Sequence, residues 1–323
     1  MPNTTRTQVT DAVSRYLDRT LLVRAYPHFV HALWAQVRDL PRNNTNVIDF
    51  RRYGSLTAAT TALTEGVTPA GSQLSITDVP ATVAQYGDYV TTTDFLDMTV
   101  IENLKTELAE ILGDQMGDTI DRLVRTILEA GTTIQYASSS TSTATVAAGQ
   151  ILNGAEVREA VRTLHSNSAK HITRQINPGT GFNSSPILAA FVGIISEDTH
   201  FDLKSDADWV PVSEYADSAA VLGPFEVGKL DEIRFVLAGA NASVSAAGGA
   251  GSIDVHRTII LAQEAYAISR ISGEAAEVIV KALGSSGTAD PLNQRSTMGW
   301  KISFVAVRLN ENFLLRIEHA VSS

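Results

Sequence analysis

The strongest hydrophobic pattern in the chain lies in residues 98–130. Eleven apolar side chains follow one another there at steps of three and four, which is the repeat of one face of an α-helix. We expect a single long helix of about 50 Å, at a rise of about 1.5 Å per residue, with Asp97 as its N-cap and its end at Gly131. Gly113 and Gly117 each weaken a helix by about 1 kcal/mol relative to alanine, so a bend is allowed there.

A different pattern occupies residues 54–95, which are polar and rich in threonine and glycine. Short stretches of alternation are interrupted by glycine and proline, which predicts a long, thin hairpin. A short strand with the aromatic residues Phe50 and Tyr53 precedes it and contains Arg51 and Arg52. Because alternate strand residues point to opposite faces, the two arginines cannot both point inward. Either both are solvated, or one pairs with a carboxylate of a partner.

Two further regions have helical spacing. In residues 7–37 the pattern is broken near Pro27, which predicts two short helices. Asn153 precedes the sequence GAEVREAVRTLHSN and is expected to cap a helix there.

The rest of the chain predicts strands and turns. The tail 297–321 contains two strands joined at Asn310 to Asn312, which we interpret as a hairpin. The other predictions are buried strands within 185–196 and 233–238, one strand over 254–269, and a flexible loop over 241–252. Helices and strands mix without regular βαβ alternation, so the fold class is α+β.

Charge is distributed unevenly. The chain has a net charge of −10. Residues 1–52 hold eight arginines against four aspartates, a balance of +4, and the remaining chain carries −14. A basic N-terminal arm on an acidic body indicates docking on acidic protein surface, such as a neighbouring copy. Strong nucleic-acid binding is the weaker interpretation, because the sequence has no dense basic stripe with interleaved aromatic residues.

Several kinds of chemistry are excluded or weakly supported. The absence of cysteine excludes disulfides, thiol nucleophiles and thiolate metal sites. The sequence contains no GxxxxGK[ST], GxGxxG, HExxH or GxSxG motif. We therefore expect neither a cofactor nor catalysis. No window is long and apolar enough for a membrane span, so no membrane partner is expected.

An acidic segment at 196–208 is the best metal candidate. Its members are Glu197, Asp198, His200, Asp202, Asp206 and Asp208. Such oxygen-rich clusters hold Ca²⁺ or Mg²⁺, but this one lacks the DxDxDG loop and its distal glutamate. A solvated acidic loop is the favoured reading, and a metal-dependent enzyme using Asp198, His200 and Asp202 is the weaker alternative.

Two pairs of histidines are candidate metal or catalytic sites. His28 and His31 could share a helix face, but packing or surface roles are favoured because no nearby carboxylate completes a ligand set. His165 and His171 could act as a base with Ser166 or Ser168. Residues so close in sequence rarely form a catalytic triad, and no oxyanion turn is visible.

The order of these parts resembles a known family. The stretches that carry the resemblance are FRRYGSL (50–56), TALTEGVTPAGSQLSITDVPATVAQYGDYVTTTDFLD (61–97), AEILGDQMGDTIDRLVRTILEAGT (109–132), GPFEVGKLDEIRFV (223–236) and ADPLNQRSTMGWKISFVAVRLNENFLLRIE (289–318). In this order they resemble the major capsid proteins of tailed bacteriophages with the Hong Kong 97 fold. They are most similar to the N-four-like phage family of these proteins.

The resemblance implies a fold organisation. The implied parts are an N-terminal arm (1–47), an extended loop hairpin (48–96), a peripheral domain with the long spine helix (97–151), an axial domain (152–265), and a return to the peripheral domain with C-terminal strands (266–323). Glu232 stands where many proteins of this family carry glycine, which leaves the geometry of its turn open.

The resemblance also implies a function without enzymatic activity. The chain would self-assemble through hexamers and pentamers into an icosahedral shell that encloses double-stranded DNA without binding it tightly. Its further partners would be portal, scaffolding and cement proteins, its location the virion capsid, and its place of assembly the host cytoplasm. A cellular nanocompartment shell is the alternative.

The extended loop is expected to lie over the neighbouring subunit. The candidate inter-subunit contacts are Phe50, Arg51, Arg52, Tyr53, Glu65, Leu74, Ile76, Gln85 and Tyr86. Some shells of this fold join their subunits by an isopeptide bond from a lysine on this loop. The present chain has no lysine before Lys105, so cohesion between subunits has to be non-covalent.

Overall fold

A computed structural model provides the structure of the chain. It describes residues 29–43, 45–99, 104–172, 189–215, 225–239, 242, 244–249, 253–271, 276–285 and 290–322.

The described residues form four α-helices and fifteen strands. The helices are α1 (Asp94–Thr99), α2 (Leu104–Glu129), α3 (Gly154–Ser166) and α4 (Glu197–Leu203). The strands are β1 (Gln36–Leu40), β2 (Val47–Tyr53), β3 (Ile76–Thr82), β4 (Ala84–Thr93), β5 (Ile134–Tyr136), β6 (Phe191–Ile195), β7 (Val210–Pro211), β8 (Glu226–Leu230), β9 (Ile233–Leu237), β10 (Val244–Gly248), β11 (Ile253–Leu261), β12 (Tyr266–Ile271), β13 (Glu277–Lys281), β14 (Arg295–Arg308) and β15 (Leu314–His319). This composition confirms the α+β class.

The predicted long helix is present as α2, the spine helix. Its 26 residues span about 39 Å at about 1.5 Å per residue. It continues through Gly113 and Gly117, and it ends before Gly131 as predicted. Its N-cap was predicted wrongly, because Asp97 lies inside helix α1; residues 100–103, between α1 and α2, are outside the described part. No helix in the described part of the chain is both long and apolar enough to cross a membrane.

One stripe of the spine helix is completely buried. Its members are Ala109, Leu112, Met116, Ile120, Val124 and Leu128. The stripe packs against Tyr266, Met298, Trp300 and Phe304 and, further along the helix, against Val192, Val236 and Ile259. Burial of a large apolar side chain contributes about 1.5 to 3 kcal/mol. This stripe therefore outweighs the helix-weakening effect of the two glycines, and it explains why the helix is not bent into separate pieces.

The first sheet has five strands centred on β14. Strand β4 pairs antiparallel along one edge of β14, with Arg295 opposite Thr93 and Phe304 opposite Ala84. Strands β12 and β13 also pair antiparallel with β14, and β1 adds in parallel to β12. The predicted thin hairpin over 54–95 was wrong in its pairing, because β4 belongs to this sheet while β2 and β3 form a two-stranded hairpin of their own.

The second sheet has eight strands in the order β5-β15-β11-β6-β9-β8-β7, with β10 beside β11. All five residues of β6 are buried. Val192 and Ile194 face the core of the spine helix, whereas Phe191 and Ile195 pack with residues of α3 on the opposite face. A strand covered on both faces has no polar side to present, which explains the continuous apolar run in its sequence.

Three strand predictions need correction. The two tail strands exist but do not form a hairpin, because β14 lies in the five-stranded sheet and β15 in the eight-stranded one. The strand predicted over 254–269 is likewise two strands, β11 and β12, in different sheets. The loop predicted over 241–252 contains β10. Alternation reports which residues are buried but not which strand lies beside them.

The second of the two predicted N-terminal helices is absent. Residues 31–34 form a turn and β1 follows, while residues 1–28, with Pro27 and His28, lie outside the described part. The turn is held by Asp121 of the spine helix. One carboxylate oxygen accepts hydrogen bonds from the backbone N–H groups of Val30 (2.9 Å) and His31 (2.7 Å), and the other lies 2.7 Å from His31 Nδ1. These bonds give the backbone N–H groups of Val30 and His31 their partners, so the turn does not depend on helical hydrogen bonds.

The acidic segment at 196–208 is not a solvated loop. Its first half is the helix α4, and buried Asp202 accepts a hydrogen bond from the Ser322 backbone N–H at 3.0 Å. Asp206 accepts from the Gly154 backbone N–H at 2.7 Å, at the start of α3. Asp208 pairs with Arg158 at 2.9 Å. These carboxylates therefore hold α3 and the C-terminal residues to α4, which is a structural role.

Candidate inter-subunit surface

The hairpin tip is the most exposed part of the described chain. Strands β2 and β3 pair antiparallel with Tyr53 opposite Ile76, and the Gly54 backbone N–H donates to the Ser75 carbonyl at 2.9 Å. Every residue from 51 to 78 is exposed. Residues 55–74 therefore leave and re-enter the fold at adjacent points and bury nothing in their own chain.

The hairpin base is anchored by a small apolar core. Ile48, Phe50 and Ala81 pack there with Leu40 of β1 and Ala267 of β12. Phe50 is only 4% exposed. Phe50 therefore offers little surface to a neighbour, because its ring fixes the hairpin on the five-stranded sheet, and its contact role stays a prediction.

Several apolar side chains of the hairpin remain open to solvent. Those more than half exposed are Tyr53, Leu56, Leu63, Val67, Leu74 and Ile76. The predicted contacts Tyr53, Leu74 and Ile76 are among them, and predicted Glu65 is also exposed. Sequence reasoning missed Leu56, Leu63 and Val67. The available signal was the recurrence of single large apolar residues in a polar segment that has no periodicity with which to bury them.

The two arginines of β2 are both exposed, and each has a partner in its own chain. Arg51 Nε lies 3.3 Å from Asp78 Oδ1 across the hairpin. Arg52 Nη1 donates a hydrogen bond to Asn310 Oδ1 at 3.0 Å. Ion pairs this exposed contribute little to stability, about 0 to 1 kcal/mol. Both guanidinium groups therefore remain available for a carboxylate of another subunit at small cost.

A groove of about 780 Å³ lies at the hairpin base. It is lined by the hairpin residues 50–55, by Arg38 of β1, by Ser168 and Lys170 after α3, and by Leu309, Asn310, Asn312 and Phe313. Its position beside Arg51 and Arg52 gives it a basic side. The groove is thus continuous with the exposed hairpin surface.

The last two predicted contacts lie on β4. Gln85 is exposed, whereas Tyr86 is half-buried against the core of the spine helix. Two residues further along, Asp88 Oδ2 accepts from the Gln115 side chain at 2.6 Å. This hydrogen bond, with a second from the Tyr89 backbone N–H, lowers the pKa of Asp88. Strand β4 is therefore fixed to the spine helix, and Gln85 offers more surface to a neighbour than Tyr86.

The structure shows which side chains surround the candidate histidines and the acidic segment. His31 is buried and paired with Asp121, so it is a packing residue, as the favoured interpretation held. Within the described residues, Asp198, His200 and Asp202 form no cluster with metal-ligand spacing. His165 and His171 both contact Glu232, which sequence reasoning had flagged for its turn but not as a partner.

Comparison with known proteins finds solved structures that have a similar fold. No protein-family model and no curated protein matches the chain. Among solved structures, the capsid of Ralstonia phage GP4 is similar with a TM-score of 0.72 at 13% identity, covering 91% of this chain and 89% of that one. The head structure of Helicobacter pylori bacteriophage KHP40 has a TM-score of 0.62 at 12% identity, covering 88% and 87%. Cyanophage Pam1 capsid has a TM-score of 0.61 at 14% identity, covering 93% and 92%.

These similarities extend over nearly the whole chain and over nearly the whole of each capsid chain. The chain therefore has the α+β fold of phage capsid proteins, as the sequence resemblance implied. The similarity to the N-four-like family stays a prediction.

Proposed function

We propose that this chain is a major capsid protein that self-assembles into an icosahedral shell enclosing double-stranded DNA. The observation that carries the proposal is the exposed hairpin of residues 51–78, on a chain that has the fold of phage capsid proteins. A hairpin that is rigidly anchored at its base and buries nothing at its tip is suited to lie on a second copy.

The energetics support a contact made on assembly. Ordering one residue costs about 1 to 2 kcal/mol of backbone entropy, and the tip has few contacts of its own to offset this. Burying Leu56, Leu63 and Val67 against a neighbour contributes about 1.5 to 3 kcal/mol each. The groove at the hairpin base supplies concave surface that a neighbouring subunit can fill.

The arrangement of subunits follows from the same proposal. The spine helix and the C-terminal strands form the peripheral domain (97–151 and 266–323), and residues 152–265, which include α3, form the axial domain that closes hexamers and pentamers. The protruding segment within 48–96 is the tip, residues 55–74. Portal, scaffolding and cement proteins are the proposed further partners, the virion capsid is the location, and the host cytoplasm is the place of assembly. A role as shell subunit requires no catalytic residues.

DNA is proposed to be enclosed without tight binding. The net charge of −10 disfavours extensive phosphate neutralisation. Weak contact between shell and DNA is consistent with release of the genome.

Electron microscopy of the purified, tag-free chain tests the proposal directly. We expect closed particles of uniform size, eluting far ahead of a 34.6 kDa monomer in size exclusion. A chain that stays monomeric at high concentration, alone and with co-expressed phage assembly factors, would contradict a shell function. Particles from infected cells that contain protein cargo and no DNA would favour the nanocompartment alternative.

A second prediction concerns covalent joining. Because the first lysine is Lys105, the hairpin has no amine for an isopeptide bond. Shells boiled in SDS are expected to run as a single monomer band on a denaturing gel. A ladder of multimers that survives boiling would show that the subunits are joined through another residue.

A further inference from the structure

Three side chains from separate parts of the chain converge at one surface point. His165 Nε2 lies 2.7 Å from Glu232 Oε2, and His171 Nε2 lies 2.8 Å from the same oxygen. The potential ligand atoms of the three residues all lie within 4.8 Å of one another. Among the described residues this is the group of histidine and carboxylate side chains that has metal-ligand spacing.

Local structure brings the two histidines together. His165 lies in the last turn of α3, which ends at Ser166. Ser168 has a φ of 55°, and the Ala169 N–H donates to the Leu164 carbonyl at 3.0 Å. The chain thereby reverses, so that the ring of His171 meets the ring of His165 edge-on with centroids 5.5 Å apart.

The glutamate is presented by a tight turn. Asp231 has a φ of 54° between β8 and β9, and Glu232 follows it. The Glu232 carbonyl accepts from the Phe191 N–H at 2.9 Å, and the ring of Phe191 lies 4.3 Å from that of His171. The left-handed residue of this turn is therefore Asp231, and Glu232 is free of that restriction. The turn, β6 and the end of α3 together form a fixed platform for the cluster.

The ligand types are those of zinc chemistry. Two imidazole nitrogens and one carboxylate oxygen make three protein ligands, and a fourth position is filled by water in sites of this type. The side chains of His165 and Glu232 are 46% and 45% exposed, so an ion can enter and the fourth position faces solvent. A tetrahedral site with bonds of about 2.0 Å separates its ligand atoms by about 3.3 Å. The exposed Glu232 side chain has to retreat by only a fraction of an ångström.

The electrostatics of the cluster also favour a cation. A glutamate carboxylate is ordinarily ionised at neutral pH, so Glu232 supplies the negative charge that a bound divalent ion requires. Calcium and magnesium are disfavoured, because they prefer sites made wholly of oxygen ligands.

We propose that His165, His171 and Glu232 form a binding site for one divalent transition-metal ion of the Zn²⁺ class. The bound ion would join the end of α3, the segment after it and the β8–β9 turn. This site goes beyond the shell function and does not depend on it. The rival explanation is a hydrogen-bonded bridge of two imidazoles and a carboxylate with no ion.

The test uses the full-length chain without a histidine tag. The protein is titrated with Zn²⁺ by calorimetry, and bound zinc is counted by elemental analysis after equilibrium dialysis. Co²⁺ is then used as a spectroscopic probe, because a four- or five-coordinate nitrogen and oxygen site absorbs visible light much more strongly than octahedral aqueous Co²⁺. The ligand variants are His171→Ala and Glu232→Gln. Asp231→Asn is the matched control, because it removes the neighbouring charge and asparagine tolerates a positive φ.

We expect about one zinc per chain and a visible Co²⁺ spectrum in the wild type. Loss of an outer-shell partner costs about 10- to 100-fold in metal affinity, so each ligand variant is expected to lose at least about tenfold, and Asp231→Asn to retain wild-type binding. Glu232→Gln changes an exposed turn residue, so its fold is retained even if His171→Ala disturbs packing against Phe191. Zinc far below one per chain, or equal binding by Glu232→Gln and the wild type, would overturn the proposal. Equal loss in Asp231→Asn would do so too, because general charge would then explain binding.

Discussion

Shell assembly is expected to be abolished when residues 55–74 are replaced by an Asn-Gly turn, while the subunit keeps its fold. Gly54 and Ser75 are already paired across the hairpin, and Asn-Gly favours the two-residue turn that joins such strands. The excised residues are all exposed, so their removal takes nothing from the core. The excised segment carries four exposed apolar side chains, Leu56, Leu63, Val67 and Leu74. Burying them on assembly contributes about 6 to 12 kcal/mol per subunit. At about 1.4 kcal/mol per factor of ten, their loss weakens association more than about a thousandfold.

Particle yield is measured by size exclusion with light scattering and by electron microscopy at matched concentration. Circular dichroism and the thermal midpoint of unassembled protein report on the fold. The matched control is Thr60→Ser with Thr61→Ser, which alters the tip without touching its apolar residues and is expected to assemble normally. Wild-type assembly by the truncated chain would show that the tip makes no essential contact. Unfolding of the truncated chain would instead show that the tip belongs to the fold.

The spine helix could be predicted from the sequence because its buried stripe is local. One helix face repeats every three to four residues, so the pattern in residues 104–129 is visible without knowledge of the partner surface. The N-cap was predicted wrongly because aspartate is a favoured N-cap residue in sequence, whereas in the structure Asp97 lies inside helix α1. Helix existence is a stronger signal than helix boundary.

The sheet partners could not be predicted in the same way. Strands β14 and β15 are separated only by residues 309–313, which favours a hairpin on sequence spacing. In the structure the chain crosses there from one sheet to the other, and the Ala262 N–H bonds the Phe313 carbonyl at 2.9 Å where β11 and β12 make the same crossing. The two crossings lie side by side, and this backbone hydrogen bond joins them. Such a contact joins residues about 50 apart, so no local pattern reports it.

The candidate surface was partly visible in the sequence. The exposed tip was expected because glycine and proline interrupt every alternating stretch; Leu74 lies on it, and Tyr53 and Ile76 pair at the strand ends beside it. The burial of Phe50 could not be predicted, because an aromatic residue on a short strand has the same sequence pattern whether it faces its own core or a neighbour. Its packing with Leu40 and Ala267 shows that the ring faces its own core.

The cluster around Glu232 illustrates a longer-range limit. The pair His165 and His171 was noticed, but a third residue more than sixty positions away was not connected with it. The signal was the charged residue Glu232 in a turn where the sequence resemblance implies glycine. A residue that departs from the usual turn chemistry is a reason to look for a partner, and here the partners are the two imidazoles.

The buried carboxylate of Asp121 gives the largest expected effect on the stability of the subunit. Asp121 has no exposed surface, and it accepts bonds from two backbone N–H groups and the His31 ring. Asp121→Ala leaves these donors without their partner next to the core of the spine helix. A buried hydrogen-bond donor left without a partner costs about 1 to 3 kcal/mol, so the three donors together are expected to cost at least about 3 kcal/mol. Because the segment at 29–35 connects the N-terminal residues to the spine helix, the loss is expected to release it first.

Urea unfolding of the unassembled chain measures the stability loss, and hydrogen exchange at the Val30 and His31 amides measures the local release. The matched control is Asp118→Ala, one turn earlier on the same helix. Asp118 makes an exposed ion pair with Arg122 at 2.8 Å, so its loss is expected to cost less than about 1 kcal/mol. Equal midpoints for the two variants, with both amides still protected, would mean that the turn is held by its apolar contacts. A clear difference would identify the buried carboxylate as the group that holds the N-terminal segment on the spine helix.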